Sequence, residues 1–182
     1  MKIVERNMRG PVVRGVTIDG ILDENVRGRN FKGQEKRHQA TGRIVNGEGN
    51  RNFLLYLDNE TAEELAGYGC EIKYTTPRDE NDIPKPFIQL IVSYYLKPVE
   101  VHTIANNVDT MLDEAHIKIL DDVDFQNLGL VLEFGKEKVH QNGVHYVPVY
   151  VSQIWAEITP NYFGARYAYL NNPGVEAEVP FV

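Results

Sequence analysis

Along most of this chain apolar and polar residues alternate with the two-residue period of β-strands, in short runs broken by glycine, proline and asparagine. PVVRGVTIDGIL (11–22) is rich in Val and Ile with two interrupting glycines, which predicts a strand that bends. GRIV (42–45) and NFLLYL (52–57) flank Asn46-Gly47-Glu48-Gly49-Asn50 and predict a hairpin with a glycine-rich tip. Phe53 alternates with Leu55 and Leu57, which makes a core role for it at least equal to a stacking one. CEIKYTT (70–76), VEVHTI (99–104) and LGLVLEF (128–134) follow as strands, with Tyr74 expected in the core two residues after Ile72. FIQLIVSYYL (87–96), the most hydrophobic run, is expected to be buried on both sides for much of its length. In GVHYVPVYVSQIWAEI (143–158), Val147, Val149 and Val151 share one face while Tyr146, Pro148, Tyr150 and Ser152 share the other. Trp155 joins the valine face unless a bulge shifts the phase. A two-residue turn at Asn142-Gly143 would set His140 opposite His145.

Two segments have helical spacing instead. ETAEELAGY (60–68), capped by Asp58 or Asn59 and ended by Gly69, puts Ala62, Leu65 and Ala66 on one face. MLDEAHIKILD (111–121) spaces Leu112, Ala115, Ile119 and Leu120 in the same way. The sum is a mainly β protein, best matched by an OB-fold-like antiparallel β-barrel with additional strands and two short helices. An open sandwich is the rival. Residues 1–10 read as an N-terminal arm, 11–159 as one domain and 160–182 as an extended C-terminal tail.

Composition narrows the setting. A chain of 182 residues, 42% hydrophobic and 25% charged, is an ordinary globule able to bury a core. No apolar run approaches the ~20 residues of a membrane helix, and the N-terminus has no apolar h-region. The single cysteine, Cys70, excludes an internal disulfide and any multi-cysteine zinc site, which points to a reducing cytoplasm.

Charge changes the picture more. The chain carries −7 overall, yet Asn25 to Phe53 holds seven Lys/Arg against two acids. The cations are Arg27, Arg29, Lys32, Lys36, Arg37, Arg43 and Arg51. A basic island in an acidic protein reads as a field aimed at a polyanion. Glycines let the backbone approach a ligand, and an aromatic ring among the charges can stack on any base. Phe31 is the expected stacking residue, because it sits in the loop with no strand core to join. Tyr146 and Tyr150, on the face opposite three valines, come next. Lys73 and Arg78 would extend the basic track if their strand lies beside it.

Several phrases are similar, in order and spacing, to the single-stranded DNA-binding proteins encoded by tailed bacteriophages, an OB-fold family. They are FKG (31–33), GNRNFLLYLDNETAEELAGYG (49–69), TPRDENDIP (76–84), IQLIVSY (88–94), LD (112–113), NLGLVLEF (127–134) and HYVPVYVSQIWAEI (145–158). The resemblance implies sequence-independent single-stranded DNA binding in phage replication or recombination, with no catalysis and no cofactor. At the C-terminus, Glu176, Glu178, Pro180 and Phe181 resemble the acidic tip with which bacterial single-stranded DNA-binding proteins recruit partners. This tail departs from that pattern in having only two acids and in placing Val182 after the phenylalanine.

Two other classes stand against this reading. Asp58, Glu71 and Lys73 follow the order of many metal-dependent nucleases, in which two carboxylates hold Mg²⁺ and the lysine orients water. Asp121, Asp122 and Asp124 could gather a hard cation, although a polar turn accounts for them. A virion or assembly protein would instead pack its sheet against copies of itself. The basic island argues against that, because such interfaces deplete charge at their core. Walker, dinucleotide and Gly-x-Ser-x-Gly patterns are absent.

Overall fold

The computed structural model describes residues 1–6, 14–33, 51–95 and 97–159. The strands, in chain order, begin with β1 (Lys2–Glu5), β2 (Gly15–Ile21), β3 (Val26–Asn30) and β4 (Arg51–Tyr56). One helix, α1 (Asn59–Gly67), comes next, then β5 (Lys73–Tyr74), β6 (Pro86–Val92), β7 (Glu100–Ala105) and β8 (Val108–Leu112). The last are β9 (Phe125–Phe134), β10 (Lys138–Val139), β11 (His145–Tyr146) and β12 (Val149–Ile158), with 3-10 turns at Asp23–Asn25 and Ile117–Asp121. The fold is mainly β, as the alternation predicts, with one α-helix among the described residues where two are expected.

Ten strands form one sheet in the order β1-β2-β9-β12-β6-β4-β3, with β5 on β6 and the β7–β8 hairpin on β12. Among the described residues the sheet is open, with β1 at one end of the order and β3 at the other. Lys2–Glu5, within the expected arm, pairs with β2 along its whole length. β12 is the hub. It runs antiparallel to β9 throughout, while on its other side its first half meets β6 and its second half meets β7, both parallel. The described partners of β4 are β3 and β6; GRIV (42–45), its expected hairpin partner, lies outside the described residues.

One face of each longer strand, in β2, β4, β6, β9 and β12, feeds a single core. Val16, Ile18, Phe53, Leu55, Ile88, Leu90, Leu130, Leu132, Val151 and Ile154 are all buried within it. Close approach makes Gly15 obligatory, since a Cβ there would stand 2.1 Å from the Leu132 carbonyl oxygen. The bend expected in β2 is a register shift between Ile18 and Ile21, with Gly20 at φ 73°. Asp58 caps α1 by accepting from the Thr61 N–H at 2.8 Å, and Gly69 at φ 85° follows its end. Ala62 and Leu65 pack inward as expected, but Ala66 is exposed and Thr61 takes its place on the buried side.

Three readings of the alternation are corrected. β6 is not buried on both sides: Pro86, Ile88, Leu90 and Val92 are buried, while Gln89 and Ile91 face out and Phe87 is half-buried. Tyr74 is 60% exposed, because β5 lasts only two residues and pairs with β6 alone. The segment 111–121 is no helix. Asn106 and Asn107, at φ 51° and 61°, turn β7 into β8, which claims residues up to Leu112 and leaves only a 3-10 turn beyond.

Candidate functional site

Strand alternation divides the basic stretch between two faces. In β3, Val26 pairs with Leu55 on the core side and Arg27 pairs with Leu54 on the outer side. Arg27 is therefore exposed, whereas Arg29 turns inward with only 13% of its side chain accessible. Its guanidinium donates to the Leu120 and Val123 carbonyls, pairs with Asp23, and lies 4.1 Å from the centroid of the Phe125 ring. Burial raises the Asp23 carboxyl, but donation from the Phe125 N–H and from Arg29 outweighs it, and the net shift is downward.

Phe31 is fully buried, with its ring stacked on Phe53 at 5.3 Å. The expectation that it has no core to join is corrected: Asp121 accepts from the Phe31 and Lys32 N–H groups at 2.8 and 2.9 Å and pins this turn onto the body of the fold. Phe31 has no face left for a base. Arg51 is likewise inward, at 3.0 Å from Glu114 and over the Tyr94 ring, with 13% of its side chain accessible. Arg29, Phe31 and Arg51 thus join the core's end rather than a ligand surface. Lys32 stays exposed. Lys36, Arg37 and Arg43 lie outside the described residues, as do Glu176, Glu178, Pro180 and Phe181 of the tail.

The outer face carries what the basic stretch alone does not. Residues opposite one another in register share a face, and three rows cross the strands here. Lys73, Phe87 and Tyr56 form the first; Gln89, Leu54 and Arg27 form the second; Tyr150, Ile91, Asn52 and Asn30 form the third. Tyr56 and Phe87 stack at 5.5 Å with 28° between their planes, both half-buried. Ile91 is 53% and Tyr150 48% exposed. Beside the first row opens a cleft of about 1000 Å³, lined by Arg27 and Tyr56 and by Arg78 and Lys85 of the β5–β6 connection. Thr75 and Lys85 hold the base of that connection together, the Thr75 N–H donating to the Lys85 carbonyl at 3.0 Å. Glu24, Asp79 and Asp82 also line the cleft, and two of them serve the backbone: Asp79 accepts from the Asn81 N–H and Asp82 from the Arg78 N–H. Among the described residues the side chains of Lys73, Arg78 and Lys85 make no ion pair.

Tyr146 is not on this face. It belongs to the separate β10–β11 hairpin, where its ring stacks on His140 at 4.0 Å. The hairpin pairs Val139 with His145, and the His140 N–H donates to the Val144 carbonyl, so the two histidines do not face each other. Trp155 leaves the valine face, because the register shift between Val151 and Gln153 inserts a bulge. On the outer face it stacks on His102 at 3.9 Å, and His102 bridges Glu100 at 2.8 Å and Asp109 at 2.9 Å. Burial lowers the imidazole pKa, but both carboxylates raise it, with a net upward shift.

The nuclease order is not gathered into a site. Asp58 is occupied as the α1 cap, Glu71 stands 3.5 Å from His140, and Lys73 lies in the row of Phe87. Among the described residues no three His, Cys, Asp or Glu side chains are placed to hold a metal ion, and no helix is long and apolar enough to cross a membrane. Sequence reasoning passed over Tyr56, Phe87 and Lys85. The signal for the first two was the alternation itself, since a buried Phe53–Leu55–Leu57 set puts Leu54 and Tyr56 outside, and Gln89 marks the outer side of β6.

A family model described as "Putative phage ssDNA-binding domain" matches residues 14–180. Among solved structures, the chain is similar to the single-stranded DNA-binding protein from bacteriophage Enc34 in complex with ssDNA, at 10% identity and a TM-score of 0.48, covering 90% of this chain and 99% of that one. A C-terminal truncation of the same Enc34 protein matches at 10% identity and a TM-score of 0.46, over 88% of this chain and 97% of that one. No curated protein matches the chain.

Proposed function

The chain belongs to the phage ssDNA-binding domain family, and from that premise we propose that it binds single-stranded DNA along its three-row outer face without reading sequence. The observation that supports this most is that accessible rings and cations gather at one face: Tyr56 and Phe87 in the first row and Tyr150 in the third, with Arg27, Lys73, Arg78 and Lys85 around the first row and the cleft. Every base has a π-face, so stacking tolerates any sequence. Phosphates take the cations and release counterions, which makes binding weaken with salt.

Lys32 stands at the exposed start of the connection between β3 and β4, and that connection carries Lys36, Arg37 and Arg43. We assign these four to further phosphate contacts, because both ends of the segment meet the sheet at the third row, where Asn30 pairs with Asn52. Phage replication or recombination is the setting the family suggests. The tail residues Glu176, Glu178, Pro180 and Phe181 are proposed to dock partner proteins, coupling charge attraction to one apolar anchor. No catalytic step is assigned.

The test is a fluorescence-anisotropy titration with labelled single strand and the matching duplex, at two salt concentrations with Mg²⁺ present, followed by a check of product length. Salt-sensitive binding of the single strand, weaker duplex binding and intact product are expected. Duplex binding as tight as single-strand binding would refute base stacking. Shortened product that disappears with Lys73→Ala would establish the nuclease instead.

A further inference from the structure

The outer face ends on a ring whose position is set from beneath. Tyr150 lies opposite Glu133 across the β9–β12 ladder and beside Ile91 of β6. The Gly135 backbone runs directly under it: a Cβ built there would stand 2.8 Å from Tyr150 Cε2 and 3.1 Å from Pro148 Cγ. Carbon atoms do not approach so closely, so the ring lies where it does only because residue 135 has no side chain. The Gly135 N–H donates to the Pro148 carbonyl at 2.8 Å, which ties the two together below the ring. Lys97 meets both oxygens of Glu133, at 2.6 and 2.7 Å, and so neutralises the carboxylate next to the platform. Tyr150 is thus packed on one side while 48% of it stays exposed.

Four residue steps along β6, from Phe87 to Ile91, separate this ring's row from the Tyr56–Phe87 pair. At ~3.3 Å per residue that is about 13 Å. A strand with ~3.4 Å between successive bases crosses it in about four nucleotides, and a stretched strand in fewer. One stacked base therefore does not span both places.

We propose that Tyr150 is a second stacking station for the same DNA strand, separate from the Tyr56–Phe87 station at the cleft, and that Gly135 and Pro148 are positioning residues that hold its ring. The proposal rests on the single-stranded DNA reading above. A short oligomer settles at the cleft, where the cations are, and only a longer one reaches Tyr150.

The full chain is titrated with labelled thymidine oligomers of about three and about ten nucleotides, lengths on either side of one station. Tyr150→Ala weakens the long oligomer by roughly 5- to 150-fold for a ring worth ~1–3 kcal/mol, Gly135→Ala weakens it by less because it shifts the ring without removing it, and both leave the short one unchanged. Tyr150→Phe keeps wild-type affinity for both, and Tyr56→Ala weakens both. In a Tyr150→Ala background, Gly135→Ala costs no further affinity, because it acts only through the ring. Equal losses on both lengths would overturn the second station, and so would a further loss from Gly135→Ala in that background. If the wild-type chain bound neither oligomer, the DNA-binding reading itself would fall.

Discussion

Arg27 and Arg29 sit two residues apart in one strand, and opposite outcomes are expected from removing them. Arg29→Ala strips a buried guanidinium from two carbonyls, from Asp23 and from the Phe125 ring. Asp23 is more than a third exposed, so the cost is that of the hydrogen bonds lost at the two carbonyls, about 1–3 kcal/mol, and the cation–π contact adds roughly 0.5–2. Domains of this kind are stable by only ~5–15 kcal/mol, so the loss is a large fraction of the total. Arg27→Ala removes an exposed side chain and should change stability by less than about 0.5 kcal/mol. Its cost appears in binding, as one fewer neutralised phosphate and a salt slope shallower by ~0.7. Urea unfolding measures the first effect, and anisotropy at several salt concentrations measures the second. An Arg29→Ala protein of wild-type stability with weakened DNA binding would refute the division of the basic stretch between two faces. So would an Arg27→Ala protein that unfolds early.

Other substitutions test other parts of the same account. Phe31→Ala should lose about 3–5 kcal/mol of stability, with affinity for single strands unchanged where the protein remains folded. Gly15→Ala drives a methyl into the Leu132 carbonyl and should give little folded protein on circular dichroism; a normal melting curve would show that β2 and β9 can move apart. His102 has a raised pKa in the fold, so its contribution is fully present below the unfolded value near 6.5 and is lost as pH rises through the folded one. The melting temperature should therefore fall across that window, and His102→Gln should flatten the dependence. An unaltered dependence in that variant would place the titration elsewhere.

The sequence made most strands legible because alternation is local. The same locality explains the errors. Charge counting registers that seven cations lie between Asn25 and Phe53, but it is blind to which side of β3 each one takes, and only tertiary packing sends Arg29 to Phe125. Phe31 looked like a loop aromatic because the residue that pins it, Asp121, is 90 positions away. Tyr150 was readable from three alternating valines. Trp155 was not, because one bulged residue between Val151 and Gln153 reverses every later side chain in β12. The helical spacing of 111–121 was real but lost to the Asn106-Asn107 turn, whose hairpin claims the first residues of that segment.

The central place of β12 has a consequence in time. Three strands lean on it, β9, β6 and β7, and all three are made earlier by the ribosome. Until residues 149–158 have emerged, no described strand pairs the β1–β2–β9 half of the sheet with the β6–β4–β3 half, and the Leu90 and Leu130 sides of the core lack the strand that lies between them. The nascent chain must wait with that apolar surface open and then close it in one late, long-range step, a topology that folds slowly and is exposed to aggregation meanwhile.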